Sequence, residues 1–310
     1  TEFGVHPAWS LLLFTTLAGT AQGLLLALAL ASLLLPLPTG FLLVAIGLAE
    51  GLLGIGLLAS FFHLGRKGRA WRAAAMWRTS WMSREVILLP LLMAWVALWW
   101  LGIATGLSPV GLQWLAALVI VGTLALWYCT AMIYACLRFL QEWAHPLTVV
   151  NFTLIGMSSG SVLLCALASL AEQSALLQGL QVWVLGTTLL AWFMRRQALR
   201  RNARLSPASS LQSATGIHNP QLVQKSMGMS AGAFNTREFF HHASQLAMRQ
   251  ARLGLLVLGF AVPAVCVTVA WGTGMAPILW LAVLAQAVGL LVERWFFFAQ
   301  AQHPQNLYYQ

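Results

Sequence analysis

The sequence contains no aspartate, and all seven of its acidic residues are glutamates. Charged residues make up only 8% of the chain, whereas hydrophobic residues make up 60%. Because a soluble catalytic domain needs a charged and polar surface, this composition excludes the two soluble domains that 310 residues would otherwise suggest. The four cysteines show no CxxC or similar spacing, so we predict no iron–sulfur cluster and no zinc site on this chain.

Histidine is missing from the middle of every long apolar segment. A transmembrane haem needs two histidines that face each other inside the helix bundle, and the seven histidines lie near segment ends or outside the segments. The sequence also lacks a phosphate-binding glycine loop, a GxSxG motif and an HExxH motif. We therefore predict no haem, no cluster and no metal on this chain.

Eight long apolar runs are the main feature that is present. Each run is close to the roughly 20 apolar residues that a membrane-spanning helix needs. The sequence thus predicts an all-α polytopic membrane protein, a bundle of eight transmembrane helices in a single membrane domain over residues 1–310. The first run is too long for a cleaved signal peptide. The runs lie at roughly 10–33, 41–62, 86–105, 112–137, 149–170, 176–194, 253–273 and 277–299.

All 17 lysines and arginines fall on one side of such a bundle. The positive-inside rule places the basic loops and both termini in the cytoplasm and makes 195–252 a cytoplasmic insertion. Membrane orientation thereby explains the net charge of +10, so we expect an acidic partner or membrane lipid rather than nucleic acid. The basic loops are 63–85 with six such residues, 138–148 with one and 195–252 with nine, and Arg294 is the seventeenth; the opposite loops 34–40, 106–111, 171–175 and 274–276 have none.

Segment 63–85 has two interpretations. In the first it is a positive-inside loop in which Ser83 caps the third helix. In the second, His63 at the end of the second helix and Glu85 at the start of the third flank a site for a quinone headgroup. Quinone reduction takes two electrons and two protons, so His63 would donate a hydrogen bond and shuttle protons, and Glu85 would exchange protons with water. Arg69 would stabilise negative charge on the reduced oxygen.

Other polar residues lie inside the apolar runs. Glu50 is near the middle of the second helix and is either part of a proton path or a protonated core residue. Gln22 and Gln286 are expected to form hydrogen bonds between helices. Glu293 and Arg294, near the inner end of the last helix, either border the quinone site or form structural ion pairs.

The residues Ala-Ser-Phe-Phe-His63-Leu-Gly, followed by Arg69-Ala and by Ser83-Arg-Glu85, resemble the membrane anchor subunits of dimethyl sulfoxide reductase. Three further segments are more similar to one branch of that family, the membrane subunits of sulfite:quinone oxidoreductases of sulfur-oxidising bacteria. These segments are His6-Pro-Ala-Trp9, Phe234-Asn-Thr-Arg-Glu-Phe-Phe-His241 and Glu293-Arg-Trp-Phe-Phe-Phe-Ala299.

The resemblance implies a quinone-reactive anchor in the bacterial cytoplasmic membrane. The quinone-site His, Arg and Glu of the family fall on His63, Arg69 and Glu85. A molybdopterin subunit would oxidise the substrate, and an iron–sulfur subunit would pass electrons to this chain for the reduction of ubiquinone or menaquinone. The iron–sulfur subunit would dock on the basic residues of loop 63–85, namely Arg66, Lys67, Arg72, Arg78 and Arg84.

Three alternatives remain open at this point. A dimethyl sulfoxide reductase type of anchor would oxidise quinol instead, but its catalytic subunits are exported, and a dense basic loop on the outer face is disfavoured. A passive anchor would keep the basic loop without needing His63, Arg69 and Glu85 together. A secondary transporter is expected to show an inverted repeat and broken helices, and no such repeat is visible in the sequence.

Overall fold

The computed structural model of the chain describes residues 9–63, 67–206, 210–223 and 245–301, without the side chains of residues 63 and 67. Within these ranges the regular structure is entirely helical. The elements are α1 (Trp9–Leu34), α2 (Thr39–His63), a 3-10 helix (Lys67–Ala74), α3 (Trp81–Ala104), α4 (Pro109–Ala135), α5 (Pro146–Leu170), α6 (Ser174–Asn202), α7 (Leu211–Thr215), α8 (Gln245–Leu256), a π-helical turn (Val257–Ala261), α9 (Val262–Thr273) and α10 (Pro277–Ala299).

Eight helices of the described chain are long and apolar enough to cross a membrane, with α8 and α9 together forming the seventh. This confirms the predicted number of spans. Successive spans run in opposite directions, so the last residues of α2, α4, α6 and α10 lie at the same end of the bundle as the first residues of α3 and α5. We call this the basic end, because loop 63–85 belongs to it, and we call the other end the opposite end. The side of the membrane that each end faces stays a prediction.

Two helix boundaries differ from the sequence-based expectation. α3 begins at Trp81 rather than at 86, and its N-cap is Ser80, whose hydroxyl accepts a hydrogen bond from the Ser83 N–H at 3.4 Å. The prediction that Ser83 caps this helix was wrong, because the cap must have the extended backbone that Ser80 adopts. α6 continues to Asn202 instead of ending at 194, so Arg195 belongs to a helix rather than to a loop.

The core of the bundle forms around α1, which packs on α2, α4 and α5. Its central leucines, including Leu24 and Leu28, are completely buried. Gly23 of α1 and Gly160 of α5 bring the two backbones into direct contact, since a Cβ built on Gly160 would lie 2.0 Å from the Leu24 nitrogen. Only glycine permits this approach, which is how small residues associate helices when hydrocarbon surrounds them.

The π-helical turn interrupts the seventh span. The N–H of Val262 donates to the carbonyl of Val257, five residues earlier. Pro263 has no N–H with which to bond the Gly259 carbonyl four residues before it. Gln286 of α10 donates to that carbonyl at 3.2 Å and to the Ser158 hydroxyl of α5 at 2.9 Å. The expected role of Gln286 in joining helices is therefore confirmed.

Candidate functional site at the basic end

Glu85 is a buried carboxyl group near the basic end of α3, with a side chain 7% exposed. The Thr130 hydroxyl of α4 donates a hydrogen bond to its Oε2. Trp81 of α3 and Tyr128 of α4 meet edge to face, with ring centroids 5.4 Å apart. Trp81 lies one helical turn before Glu85, on the side of the membrane boundary. These contacts hold α3 against α4 and orient the Glu85 carboxyl group toward the Thr130 hydroxyl.

Arg84, the residue before Glu85, fastens loop 63–85 to the start of α3. Its Nε donates to the Trp77 carbonyl and its Nη2 to the Arg78 carbonyl, each at 2.9 Å. The guanidinium lies 4.2 Å from the centre of the Trp81 ring. Arg84 was predicted to contact a partner, and that role stays a prediction; within the chain its guanidinium bonds to these two carbonyls.

The other described arginines of the loop point outward. Arg69 is exposed within the 3-10 helix, where its backbone departs from helical geometry at φ −114° and ψ 16°. Arg72 and Arg78 are also exposed, and each lies over a neighbouring tryptophan at 5.5 and 5.3 Å from the ring centre. Arg69 and Glu85 therefore differ in burial: the Arg69 side chain is exposed, whereas the Glu85 side chain is buried.

The side chains of three predicted site residues are not described. His63 is the last residue of α2, as the sequence predicted, but its side chain is not described, nor is that of Lys67. Arg66 lies between the described ranges. The 3-10 helix packs on both α2 and α3, so the two helices that carry His63 and Glu85 meet the same short element.

Glu50 is partly buried in α2. Among the described residues, its Oε2 has no hydrogen-bond partner. No described contact joins it to Glu85, and its place in a proton path stays a prediction.

A charged cluster lies deeper at the basic end, and it includes Arg195, which the sequence did not mark as a member. Glu293 of α10 holds Arg195 of α6 through Oε1 and its neighbour Arg294 through Oε2, each at 3.0 Å from the guanidinium Nε. The three residues are 1%, 2% and 4% exposed. Arg294 also lies 3.8 Å from the centre of the Phe152 ring. For Glu293 and Arg294, the ion-pair interpretation is therefore the one observed.

Arg195 and Thr130 are the members of this region that the sequence did not reveal. Arg195 directly follows an apolar run and has the appearance of the first residue of a basic loop. Thr130 is one of two threonines in a largely apolar segment, and nothing in the sequence distinguishes it from Thr123. A general rule could have pointed to both residues, because polar side chains within membrane spans usually face the bundle interior and often have a function.

The fold and the site define a multi-pass membrane protein whose fully buried Glu and Arg side chains, among the described residues, lie at one end. The chain belongs to the DMSO reductase anchor subunit (DmsC) family, which matches residues 2–299. It is 45% identical over 323 aligned residues to a subunit of the sulfite dehydrogenase of Allochromatium vinosum, an alignment that covers 99% of each chain. It is 28% identical over 123 residues to Anaerobic dimethyl sulfoxide reductase chain YnfH of Escherichia coli K12, covering 39% of this chain and 43% of that protein. The resemblance seen in the motifs is confirmed, and this chain is a membrane anchor subunit of an oxidoreductase complex.

Proposed function

We propose that this chain anchors a sulfite-oxidising complex to the membrane and reduces quinone at its basic end. The 45% identity to a sulfite dehydrogenase subunit over 99% of both chains supports sulfite as the substrate of the complex. In this proposal a molybdopterin subunit oxidises sulfite, and an iron–sulfur subunit passes the electrons to this chain. The resemblance to the anchor family supports that division of labour.

The observation that carries the quinone proposal is the buried carboxyl group of Glu85. Burying an acid near the membrane boundary costs free energy, and such a group is a functional hypothesis by default. The Thr130 hydrogen bond orients it without pairing it with a cation. A carboxyl group in this position can hold a proton and release it to an acceptor at the edge of the hydrocarbon, which quinone reduction needs.

The surrounding residues fit the chemistry of a quinone. A bound quinone would accept two electrons. Phe61, Phe62 and Trp71 expose apolar surface at the same boundary, suited to a flat apolar ring. Arg69 offers an exposed cation close in sequence to that surface. We assign hydrogen-bond donation to His63 on the strength of the family motif.

The proposed docking residues for the iron–sulfur subunit are those that the sequence predicted, namely the exposed Arg72 and Arg78 together with Arg66, Lys67 and Arg84. Cation–π stacking on Trp71 and Trp77 orders Arg72 and Arg78. Changing Arg72 and Arg78 together to Glu should release the partner from membranes at moderate salt, because reversed charges repel an acidic surface. The Arg204→Glu change, at another exposed arginine, is the control. Full retention of the partner after the double change would place docking elsewhere.

The decisive experiment separates quinone chemistry from substrate chemistry in the complete complex. His63→Ala, Arg69→Ala and Glu85→Gln should each lower quinone-linked sulfite oxidation by about 100-fold or more, the range for a lost acid–base or electrostatic group. Sulfite oxidation with a soluble artificial acceptor should stay unchanged, since it bypasses this chain. Glu172→Gln, an exposed acid at the opposite end, serves as the matched control and should behave as wild type.

Wild-type quinone reduction in all three variants would rule out this site.

The orientation of the chain is tested separately with single cysteines at Thr39 and Arg204, placed in a chain whose four native cysteines are replaced by alanine. A membrane-impermeant thiol reagent added outside should label Thr39→Cys and spare Arg204→Cys. The reverse result would place the basic end outside and favour the quinol-oxidising alternative instead.

A further inference from the structure

Two small cavities lie side by side at the basic end. The first, of about 10 Å³, is bordered by α5, α6 and α10, with Asn151, Arg195 and Gln300 in its wall. The second, of about 20 Å³, is bordered by α1, α4, α5 and α10, with Thr16, Gln22, Trp127 and Thr130 in its wall. Phe152 and Arg294 border both cavities, so the two spaces are neighbours.

Both cavities are lined by buried polar atoms that have no hydrogen-bond partner within the described ranges. Buried polar groups are almost always bonded, so these atoms require a small partner that both donates and accepts, which is the property of water. Each cavity presents donors and acceptors together. The atoms are Asn151 Oδ1, Arg195 Nη2, Arg294 Nη1 and Gln300 Nε2 in the first cavity, and Thr16 Oγ1, Gln22 Oε1 and Trp127 Nε1 in the second.

The size of the cavities decides which occupant fits. A space of about 10 to 20 Å³ holds one or two water molecules. A quinone ring or a polyatomic anion needs far more room, since ligand pockets measure roughly 300 Å³ or more. The cavity beside Arg195 and Arg294 therefore has the size for water and not for a substrate.

The second cavity reaches Glu85 through one hydroxyl group. Thr130 lines this cavity, and its hydroxyl donates a hydrogen bond to Glu85 Oε2. The hydroxyl oxygen of Thr130 can at the same time accept a hydrogen bond from a water molecule in the cavity. A threonine in this arrangement passes a proton on by receiving one hydrogen and giving another. Glu85 is thereby connected to the interior of the bundle as well as to the membrane boundary.

The first cavity reaches the surface of the bundle at His145, the N-cap of α5. His145 is half-buried and lines this cavity, and its Nδ1 accepts a hydrogen bond from the Leu147 N–H at 3.1 Å. The neutral ring therefore carries its hydrogen on Nε2. Because α5 begins at the basic end, His145 lies at the same membrane boundary as loop 63–85.

We propose that these residues form a hydrated proton route from His145 through both cavities to Thr130 and Glu85. The proposal rests on the proposed function, in which Glu85 gives protons to quinone. For each quinone reduced to quinol, two electrons arrive from the iron–sulfur subunit and two protons leave Glu85 in turn. Each proton is replaced through Thr130 by one that enters from water at the basic end.

The hydration of the route can be measured without turnover. Hydroxyl radicals generated by an X-ray pulse oxidise side chains that contact bound water, even where bulk solvent does not reach. In the purified complex, Phe152 should be oxidised several times faster than Phe260, although the two are similarly buried at 6% and 1% exposure. Asn151→Leu, which puts an apolar group in the first cavity, should reduce the Phe152 rate. Equal rates at Phe152 and Phe260 would overturn the proposal.

The transfer of protons is tested by turnover of the complete complex. Thr130→Val keeps the shape of the side chain and removes the hydroxyl, so kcat for quinone reduction should fall about tenfold or more with little change in KM. The solvent deuterium isotope effect should rise, and Thr130→Ser should restore the rate. Thr187→Val is the control, because that buried hydroxyl bonds the Trp183 carbonyl of its own helix at 2.8 Å and lines neither cavity.

The outcomes distinguish the route from the site that it serves. If Glu85→Gln slows quinone reduction while Thr130→Val and Asn151→Leu match wild type, the route is wrong and the quinone site stands. If Glu85→Gln also matches wild type, the proposed site itself fails. Should Thr130→Val not assemble, Asn151→Leu gives the answer, and a wild-type rate in that variant contradicts the proposal.

Discussion

The two ends of the bundle are built from similar apolar helices but have different interiors. At the basic end, Glu85, Arg195, Glu293 and Arg294 are all buried, and the cavities between them measure only about 10 and 20 Å³. At the opposite end the helices surround a cavity of about 190 Å³ near Trp99, whose lining contains no charged side chain. Taking a charge out of water costs several kcal/mol, and even a pairing such as that of Glu293 with Arg195 and Arg294 often fails to repay this cost. The concentration of buried charges at one end is therefore better explained by function than by stability.

The largest effect should follow from removing the carboxylate that holds the charged cluster. Glu293→Gln leaves Arg195 and Arg294 buried without a counter-charge, which should cost about 3–5 kcal/mol. The expected result is a chain that melts at much lower temperature in detergent, measured by tryptophan fluorescence. Glu172→Gln, exposed at the opposite end, should melt as wild type. An unchanged melting temperature for Glu293→Gln would show that this carboxylate does not stabilise the two buried arginines.

The second largest loss of stability should follow from a change at the close contact between α1 and α5, midway between the two ends. In Gly160→Ala the new methyl group would meet the α1 backbone 2.0 Å away, which forces α1 and α5 apart. The expected cost is about 3 kcal/mol, at the upper end for overpacking. Gly179→Ala is the matched control, because its methyl group meets nothing within 4 Å and alanine favours the helix. Thermal unfolding of both variants tests the difference, and similar melting temperatures would exclude the close helix contact.

Replacing a hydrogen-bonded tryptophan by phenylalanine should have a smaller effect, and this change can be made at both ends. Trp143 donates to the Phe297 carbonyl and Trp100 to the Leu43 carbonyl, each at 2.9 Å. Trp143→Phe should cost about 2 kcal/mol, because the bond is buried within an aromatic cluster, while Trp100→Phe should cost about 1 kcal/mol. Chemical denaturation in micelles measures both. Equal losses would mean that the aromatic packing at the basic end adds nothing to the hydrogen bond.

The smallest effect is a pH dependence at the first turn of α5. Burial and the nearby Arg201 guanidinium lower the pKa of His145 below its usual 6.5. As pH falls below about 6.5, the unfolded segment binds a proton before the folded one does, so the cap loses stability, and the loss levels off below the folded pKa. Amide hydrogen exchange at Leu147 should then show falling protection. His145→Asn keeps a cap without an ionisable ring and should remove this trend.

Hydropathy was sufficient to place every membrane span, because the apolar runs are separated by clear polar loops. It failed at the polar helix ends. α3 starts at Trp81 and α6 continues to Asn202, since a helix whose polar side chains bond to loops or to other helices extends beyond its apolar run. The burial of Arg195 depends on Glu293, which is far away in the sequence, and no local pattern reports such a pairing.

The candidate site was predictable only in part. The sequence placed Glu85 at the correct boundary and His63 at the end of α2. It did not reveal that Thr130, 45 residues away, bonds to Glu85, because a hydroxyl group in an apolar helix usually bonds its own backbone. Tertiary contact gives Thr130 its role, and a single sequence does not contain that contact.

The π-helical turn at Val257–Ala261 changes the angular phase of the seventh span. It accommodates one residue more than an α-helical turn, and one residue corresponds to about 100° of rotation. Deleting a single residue from this turn would therefore rotate α9 relative to α8 and carry Cys266 and Val267, which are now buried, toward the lipid. Two halves of one span can thus follow different neighbours while the chain continues as a single helix across the membrane.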